Sequence, residues 1–263
     1  MLALVAGRGS LPAQVAAAQT KAPLVCVLEG FAPEGLKADI VFRLEHLGSF
    51  LIKLGHMGVT EVCFCGGIDR PQVDPSLIDA DTLPLVPLIQ KSLEQGDDGA
   101  LRTVIGLFEQ TGFRVRAVHE LLPDLMVPEG VLSTRTPDAQ MHRDAARGQA
   151  VLSALSPLDV GQACVVGGGQ VLGIETLGGT DHMLAHLPDT PLREGGLLVK
   201  GPKAGQDQRA DMPTIGPDTV AAVARAGLAG IVIDACGVIL LDPDTTVSRV
   251  DDAGLILWSR TPT

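Results

Sequence analysis

Apolar residues in the first half of the chain fall into short runs separated by stretches with helical spacing. "LALVA" (2–6), "PLVCVL" (23–28) and "TEVCFCGG" (60–67) read as buried strands. "LPAQVAAAQ" (11–19), with Pro12 near its start, "LGSFLIKLGHMG" (47–58) and "DDGALRTVIGLFEQTG" (97–112) read as helices, and "FRVRAVHE" (113–120) as a further strand. This alternation predicts an α/β architecture with a mostly parallel sheet covered by helices.

After "LLPDLMVPEG" (121–130) the pattern changes. "ACVVGGGQVLGIE" (163–175) reads as two strands around a glycine turn, and "AGIVIDACGVILLD" (229–242) as two more around Cys236-Gly237, each with a hairpin signal. Interleaved helices at 138–154, 180–187 and 217–227 make this a mixed α/β domain. The boundary is expected within 130–135, giving domains 1–132 and 133–263.

Composition narrows the function classes. The 263 residues are 46% hydrophobic and 19% charged, a globular balance, and no apolar run reaches the ~18 residues of a spanning helix. The start "MLALVAGRGSLP" has neither a basic leader nor a cleavage site, so a cytoplasmic location is expected. Five cysteines form no CxxC pair; they are expected to be reduced core residues, with Cys63 and Cys65 on one strand face. A formal charge of −11 argues against a nucleic-acid partner and makes a local cationic cluster informative.

Several stretches are candidates for chemistry. "AGRGSLP" follows a strand and precedes a helix, so Gly7, Gly9 and Ser10 could offer N–H groups to a phosphate; a tight βα turn is the alternative. It lacks the third glycine of a dinucleotide fingerprint. "GGIDRP" (66–71) ends another strand, where Gly67 and Arg70 could meet a phosphate, or form a plain surface loop stopped by Pro71. In "ETLGGTDHML" (175–184), Thr180 is a plausible N-cap after Gly178 and Gly179, and Glu175 and Asp181 flank it. Here a ligand turn competes with a simple capped helix. His182 and His186, four apart, read as a solvated pair because no third metal ligand accompanies them.

The most informative stretch is "KGPKAGQDQRADMP" (200–213). Pro202, Gly205 and Pro213 forbid a long helix, so this is a loop. Lys200, Lys203 and Arg209 alternate there with Asp207 and Asp211. A diphosphate would explain the cations and a hard divalent cation the carboxylates. Internal ion pairs are the alternative, but exposed pairs contribute only ~0–1 kcal/mol each. Pro213 biases the loop's end toward extended geometry, which would put Asp207, Arg209 and Asp211 on one face.

These stretches, together with "HELLPDL", "PEGVLS", "LDVGQACVV" and "LVKGPKAGQDQRADMPTIGPDTV", resemble the LpxI family, UDP-2,3-diacylglucosamine pyrophosphatases of lipid A synthesis. The resemblance runs in order over nearly the whole chain. It implies a Rossmann-like N-terminal domain, a family-specific C-terminal domain and an active site in the cleft between them. It also implies Mg²⁺-assisted hydrolysis of UDP-2,3-diacylglucosamine to UMP and 2,3-diacylglucosamine 1-phosphate (lipid X), with water attacking the sugar-side phosphorus. On that reading Lys200, Lys203 and Arg209 offset phosphate charge, and Asp207 and Asp211 recruit the metal. The substrate is a lipid-linked nucleotide sugar, so peripheral contact with the cytoplasmic face of the inner membrane is expected. The readings from other classes are a non-catalytic nucleotide-sugar binding module and an NAD-dependent oxidoreductase built on "GRGSLP".

Overall fold

The computed structural model describes residues 1–69, 72–93, 96–209 and 211–261. They form two compact units: 1–123 with 207–211, and 124–206 with 212–263. Residues 124–132, assigned by sequence to the first domain, thus belong to the second unit, where Gly130–Val131 pairs in its sheet.

The first unit runs β1 (Leu2–Ala6), α1 (Leu11–Ala17), β2 (Leu24–Leu28), β3 (Ile40–Phe42), α2 (Leu47–His56), β4 (Glu61–Cys65), α3 (Val86–Leu93), α4 (Gly96–Gln110), β5 (Arg114–Arg116) and α5 (Val118–Leu121). Its five strands are all parallel, in the order β3-β2-β1-β4-β5. Strands buried on both faces need unbroken apolar runs, which is why "LALVA" and "LVCVL" carry no alternation. The core is partly aromatic: Phe42 stacks on Phe50 with centroids 4.0 Å apart, and Phe108 packs among Phe50, Phe64 and Phe113. The expected strand over 113–120 is cut short. It ends at Arg116, Ala117 stays extended, and the chain turns into α5.

The second unit runs β6 (Gly130–Val131), α6 (Ala139–Leu155), β7 (Ala163–Gly167), β8 (Gln170–Ile174), α7 (Gly179–Ala185), β9 (Leu197–Lys200), β10 (Thr214–Ile215), α8 (Pro217–Arg225), β11 (Gly230–Asp234), β12 (Ile239–Leu240), α9 (Pro243–Asp252) and β13 (Ile256–Arg260). Its main sheet has the order β6-β13-β11-β9-β7-β8, with β13, β11 and β9 parallel and the outer pairings antiparallel. The hairpin expected at 163–175 is present as β7 and β8. The one expected at 229–242 is not: Cys236 takes a left-handed φ of 53°, and β12 leaves to pair in parallel with β10 as a separate ribbon.

Alternation fixes which side chains leave which face of this sheet. Leu198, Ile231, Ile233 and Leu257 pack with Met183 and Leu184 of α7, Val220 and Val223 of α8 and Val250 of α9. Leu197, Val199, Val232 and Ile256 pack on the other side with Met141 and Ala145 of α6. That helix starts sharply because the Asp138 side chain accepts from the Met141 N–H at 2.8 Å. Four cysteines are buried as expected; Cys236, in the turn after β11, is exposed.

Candidate functional site

In the first unit the two glycine loops lie side by side. β1 is where the strand order reverses, with β2 and β3 on one side and β4 and β5 on the other, and ligands of open α/β sheets gather at such a point. The Gly7 N–H donates to the Cys65 carbonyl at 2.8 Å, Arg8 N–H to Gly67 O at 2.9 Å, and Gly67 N–H to Arg8 O at 3.0 Å. A Cβ on Gly7 would lie 2.5 Å from Gly67 O, and one on Gly66 2.6 Å from Gly7 O. Gly7 and Gly67 therefore serve the approach of the loops, with their N–H groups bound to carbonyls rather than turned to a phosphate. Gly9, at φ +93°, and Ser10 lead into α1, where the Ser10 side chain takes no capping bond.

Arg8, not singled out by sequence reasoning, is a cation of this corner among the described residues. It pairs with Asp69 at 2.5 Å, and its guanidinium lies 4.7 Å from the centre of the Phe31 ring. Arg70 lies outside the described residues.

In the second unit, three adjacent parallel strands end in charged residues: β9 in Lys200, β11 in Asp234 and β13 in Arg260. Lys200 is buried and donates from Nζ to Thr180 Oγ1 at 3.1 Å. The Thr180 hydroxyl donates in turn to Oε2 of buried Glu175 at 2.5 Å. Three residues singled out from two distant stretches of sequence thus form one chain. Thr180 is not the N-cap, a position held by Gly178; Gly179 begins α7 at φ +77°, and the Thr180 side chain turns to Glu175. Asp181 is exposed in the first turn of α7. His182 and His186 are also exposed, with ring centroids 4.1 Å apart, the solvated pair the spacing suggests.

The loop after Lys200 is tied down locally. Lys203 pairs with Asp159, which holds a left-handed backbone, and the Ala204 N–H donates to Ser156 Oγ at 2.6 Å. Gln206 closes a ring with Lys203, its Oε1 accepting from the Lys203 N–H and its N–H donating to the Lys203 carbonyl.

Residues 207–211 pack with the first unit. Arg209 grips Asp207 with two prongs, Nε to Oδ1 at 2.9 Å and Nη2 to Oδ2 at 2.7 Å, and reaches Glu109 Oε1 of α4 with Nη1 at 2.5 Å. Arg209's hydrogen bond holds the Asp207 carboxyl below its usual range against the opposing effect of burial, and the guanidinium is raised in return. The segment is not extended as expected: the Asp211 N–H points back to Asp207 O at 3.4 Å, a turn that Gln208 and Arg209 form. Pro213 constrains Met212, too far along the chain to straighten this turn.

Among the described residues no group of three or more His, Cys, Asp or Glu side chains is gathered to hold a metal. A pair of carboxylates is nevertheless a donor set that suits Mg²⁺, which takes one or two protein oxygens and completes its shell with substrate phosphate and water. Asp207 and Asp211 fit that chemistry, with the condition that a cation at Asp207 must compete with Arg209.

Asp234 was missed by sequence reasoning because it ends an aliphatic run, "GIVID". Its carboxylate lies against the loop that starts at Lys200: a Cβ on Gly201 would be 2.2 Å from Asp234 Oδ2. Burial pushes its carboxyl up to about 6, with the nearby Arg260 pulling it back only in part. Arg260, itself buried, donates to Gln149 of α6 and lies over Trp258.

The first unit is an open parallel α/β sheet, and the second ends three adjacent parallel strands in charged residues. Residues 1–125 match the LpxI N-terminal domain and residues 128–258 the LpxI C-terminal domain, so the chain belongs to the LpxI family. It is 34% identical over 275 residues to the UDP-2,3-diacylglucosamine pyrophosphatase LpxI of Caulobacter vibrioides, with 99% of this chain and 98% of that protein covered.

Proposed function

We propose that this protein hydrolyses the pyrophosphate bond of UDP-2,3-diacylglucosamine to UMP and lipid X, a step of lipid A synthesis. The observation that carries this reading is the near-complete alignment with the Caulobacter pyrophosphatase. An anhydride bearing several anionic oxygens repels hydroxide and an acidic protein alike, so the site must reverse the local potential. Lys200, held by Thr180 and Glu175, and Lys203, fixed by Asp159, are the cations of the second unit suited to that task. Arg209 is the third, and Gly9, Ser10, Arg70, Gly179 and Asp181 remain as substrate contacts, so turnover draws on residues of both units. Asp207 and Asp211 would hold Mg²⁺, which when bound supplies charge stabilisation to the phosphate oxygens.

No described helix is long and apolar enough to cross a membrane, and contact with the bilayer is proposed as peripheral, made where the acylated substrate is taken up. The test is turnover of UDP-2,3-diacylglucosamine by the purified protein with Mg²⁺ in ¹⁸O-labelled water. Lipid X should carry the label. Label confined to UMP would refute attack at the sugar-side phosphorus. Substrate binding without UMP release would instead favour a nucleotide-sugar binding module.

A further inference from the structure

Asp234 differs from Glu175, Asp159 and Asp207 in having no hydrogen-bonding partner for its carboxylate among the described residues, its opposite charge, Arg260, acting on it through space only. Glu175 accepts from Thr180, Asp159 from Lys203 and Asp207 from Arg209, whereas the Asp234 carboxylate takes no hydrogen bond or ion pair from any described residue. A half-buried carboxylate without a donor costs stability. It sits at the carboxyl end of β11, the middle of three parallel strands, against Gly201, the residue after Lys200. The register sets the charged neighbours. Lys200 pairs with Ile233 and leaves from the opposite face of the sheet. Arg260 of β13 shares the Asp234 face but is drawn to Gln149, a neutral residue of α6. Glu129 acts on Arg260 rather than on Asp234. Pro202 and Gly237, the other close neighbours, carry no charge.

We propose that Asp234 is the base of the hydrolytic step, taking a proton from the water that attacks the pyrophosphate. This rests on the function proposed above. The water oxygen forms a bond to phosphorus as the bond from phosphorus to the bridging oxygen breaks. The bonding pair leaves on the UMP oxygen, one water proton passes to Asp234 and is later lost to solvent, and no oxidant or reductant is needed. A desolvated carboxyl that titrates near 6 is ionised at neutral pH and is a better base than an exposed one.

The experiment is the pH dependence of kcat and kcat/KM for wild type, Asp234→Asn and Asp234→Glu, with folding followed by circular dichroism. Wild type should lose kcat/KM as pH falls through about 6. The Asp234→Asn protein should lose at least ~100-fold in kcat with little change in KM, its residual rate should lack that acid limb, and Asp234→Glu should recover part of the rate. A folded Asp234→Asn protein with near-normal kcat, or one that keeps the limb, overturns the inference. If Asp234→Asn does not fold, a wild-type profile flat between pH 5 and 7 overturns it. Absence of hydrolysis by wild type is a different failure, since it removes the proposed function and the inference with it.

Discussion

Asp207 and Arg209 are joined through both oxygens of the carboxylate, and Arg209 carries a second carboxylate, Glu109, on its remaining nitrogen. A two-pronged guanidinium pair of this kind is strong and directional, so any cation recruited by Asp207 must displace it. Asp207→Ala and Asp211→Ala should each lose at least ~100-fold in turnover while staying folded. Arg209→Ala should lower the Mg²⁺ concentration that gives half-maximal rate. Near-normal turnover in both aspartate variants would leave the loop as a structural ion-pair cluster. An unchanged Mg²⁺ requirement in Arg209→Ala would separate Asp207 from the metal.

The hydroxyl of Thr180 joins Lys200 to Glu175, and both charged partners are buried. Thr180→Val keeps the shape and deletes the link. The variant should lose on the order of 1–3 kcal/mol of stability, the cost of deleting two hydrogen bonds to buried charged groups. Turnover should drop about 10-fold or more as Lys200 loses its fixed position. Thr180→Ser should restore most of both. Chemical denaturation and steady-state kinetics on the same preparations measure the two effects.

Gly7→Ala places a methyl group within 2.5 Å of the Gly67 carbonyl. Because the obstacle is backbone on a neighbouring strand end, it cannot swing aside as a flexible side chain would. A loss of about 1–3 kcal/mol is expected, read as a shift in denaturation midpoint. Gly67→Ala, which meets nothing within 4 Å, is the control and should stay near wild type.

Asp234 should lower stability at neutral pH. Its folded value of about 6 lies above the ordinary 3.8, so the folded state binds more protons than the unfolded state between those values. Stability contributed by the protonated form is fully present below about 3.8 and is lost as pH rises through about 6. Asp234→Asn should therefore be more stable than wild type at pH 7, by on the order of 2 kcal/mol, with the difference vanishing near pH 4. Equal melting temperatures at pH 7 would show that Asp234 is not desolvated.

The sequence made some of this legible and hid the rest for physical reasons. Strands such as Leu2–Ala6 and Glu61–Cys65 were visible because buried parallel strands need continuous apolar runs closed by glycine. Pairing was not visible: "IDACGVILL" has the look of a hairpin, yet Ile239 and Leu240 pair with Thr214 and Ile215 instead. Periodicity reports which face is buried and says nothing about which neighbour lies alongside. The Lys200 loop stood out because its charges interrupt an aliphatic chain. Asp234 sat inside such a run, and the signal that could have found it was a lone carboxylate closing a strand of β-branched residues. The hydrogen-bonded chain from Lys200 to Glu175 was out of reach, since it joins residues 25 positions apart through a threonine first read as a helix cap.

Residues 207–211 come from the later part of the chain but pack with the earlier one, where Arg209 meets Glu109. Swapping halves between family members would therefore transplant only one member of that pair. A chimera joined after residue 123 inherits its arginine from one parent and its acidic counterpart from the other. Such hybrids should be viable only when both parents carry compatible charges at these two sites, a bookkeeping rule that breeding by module boundaries alone would overlook.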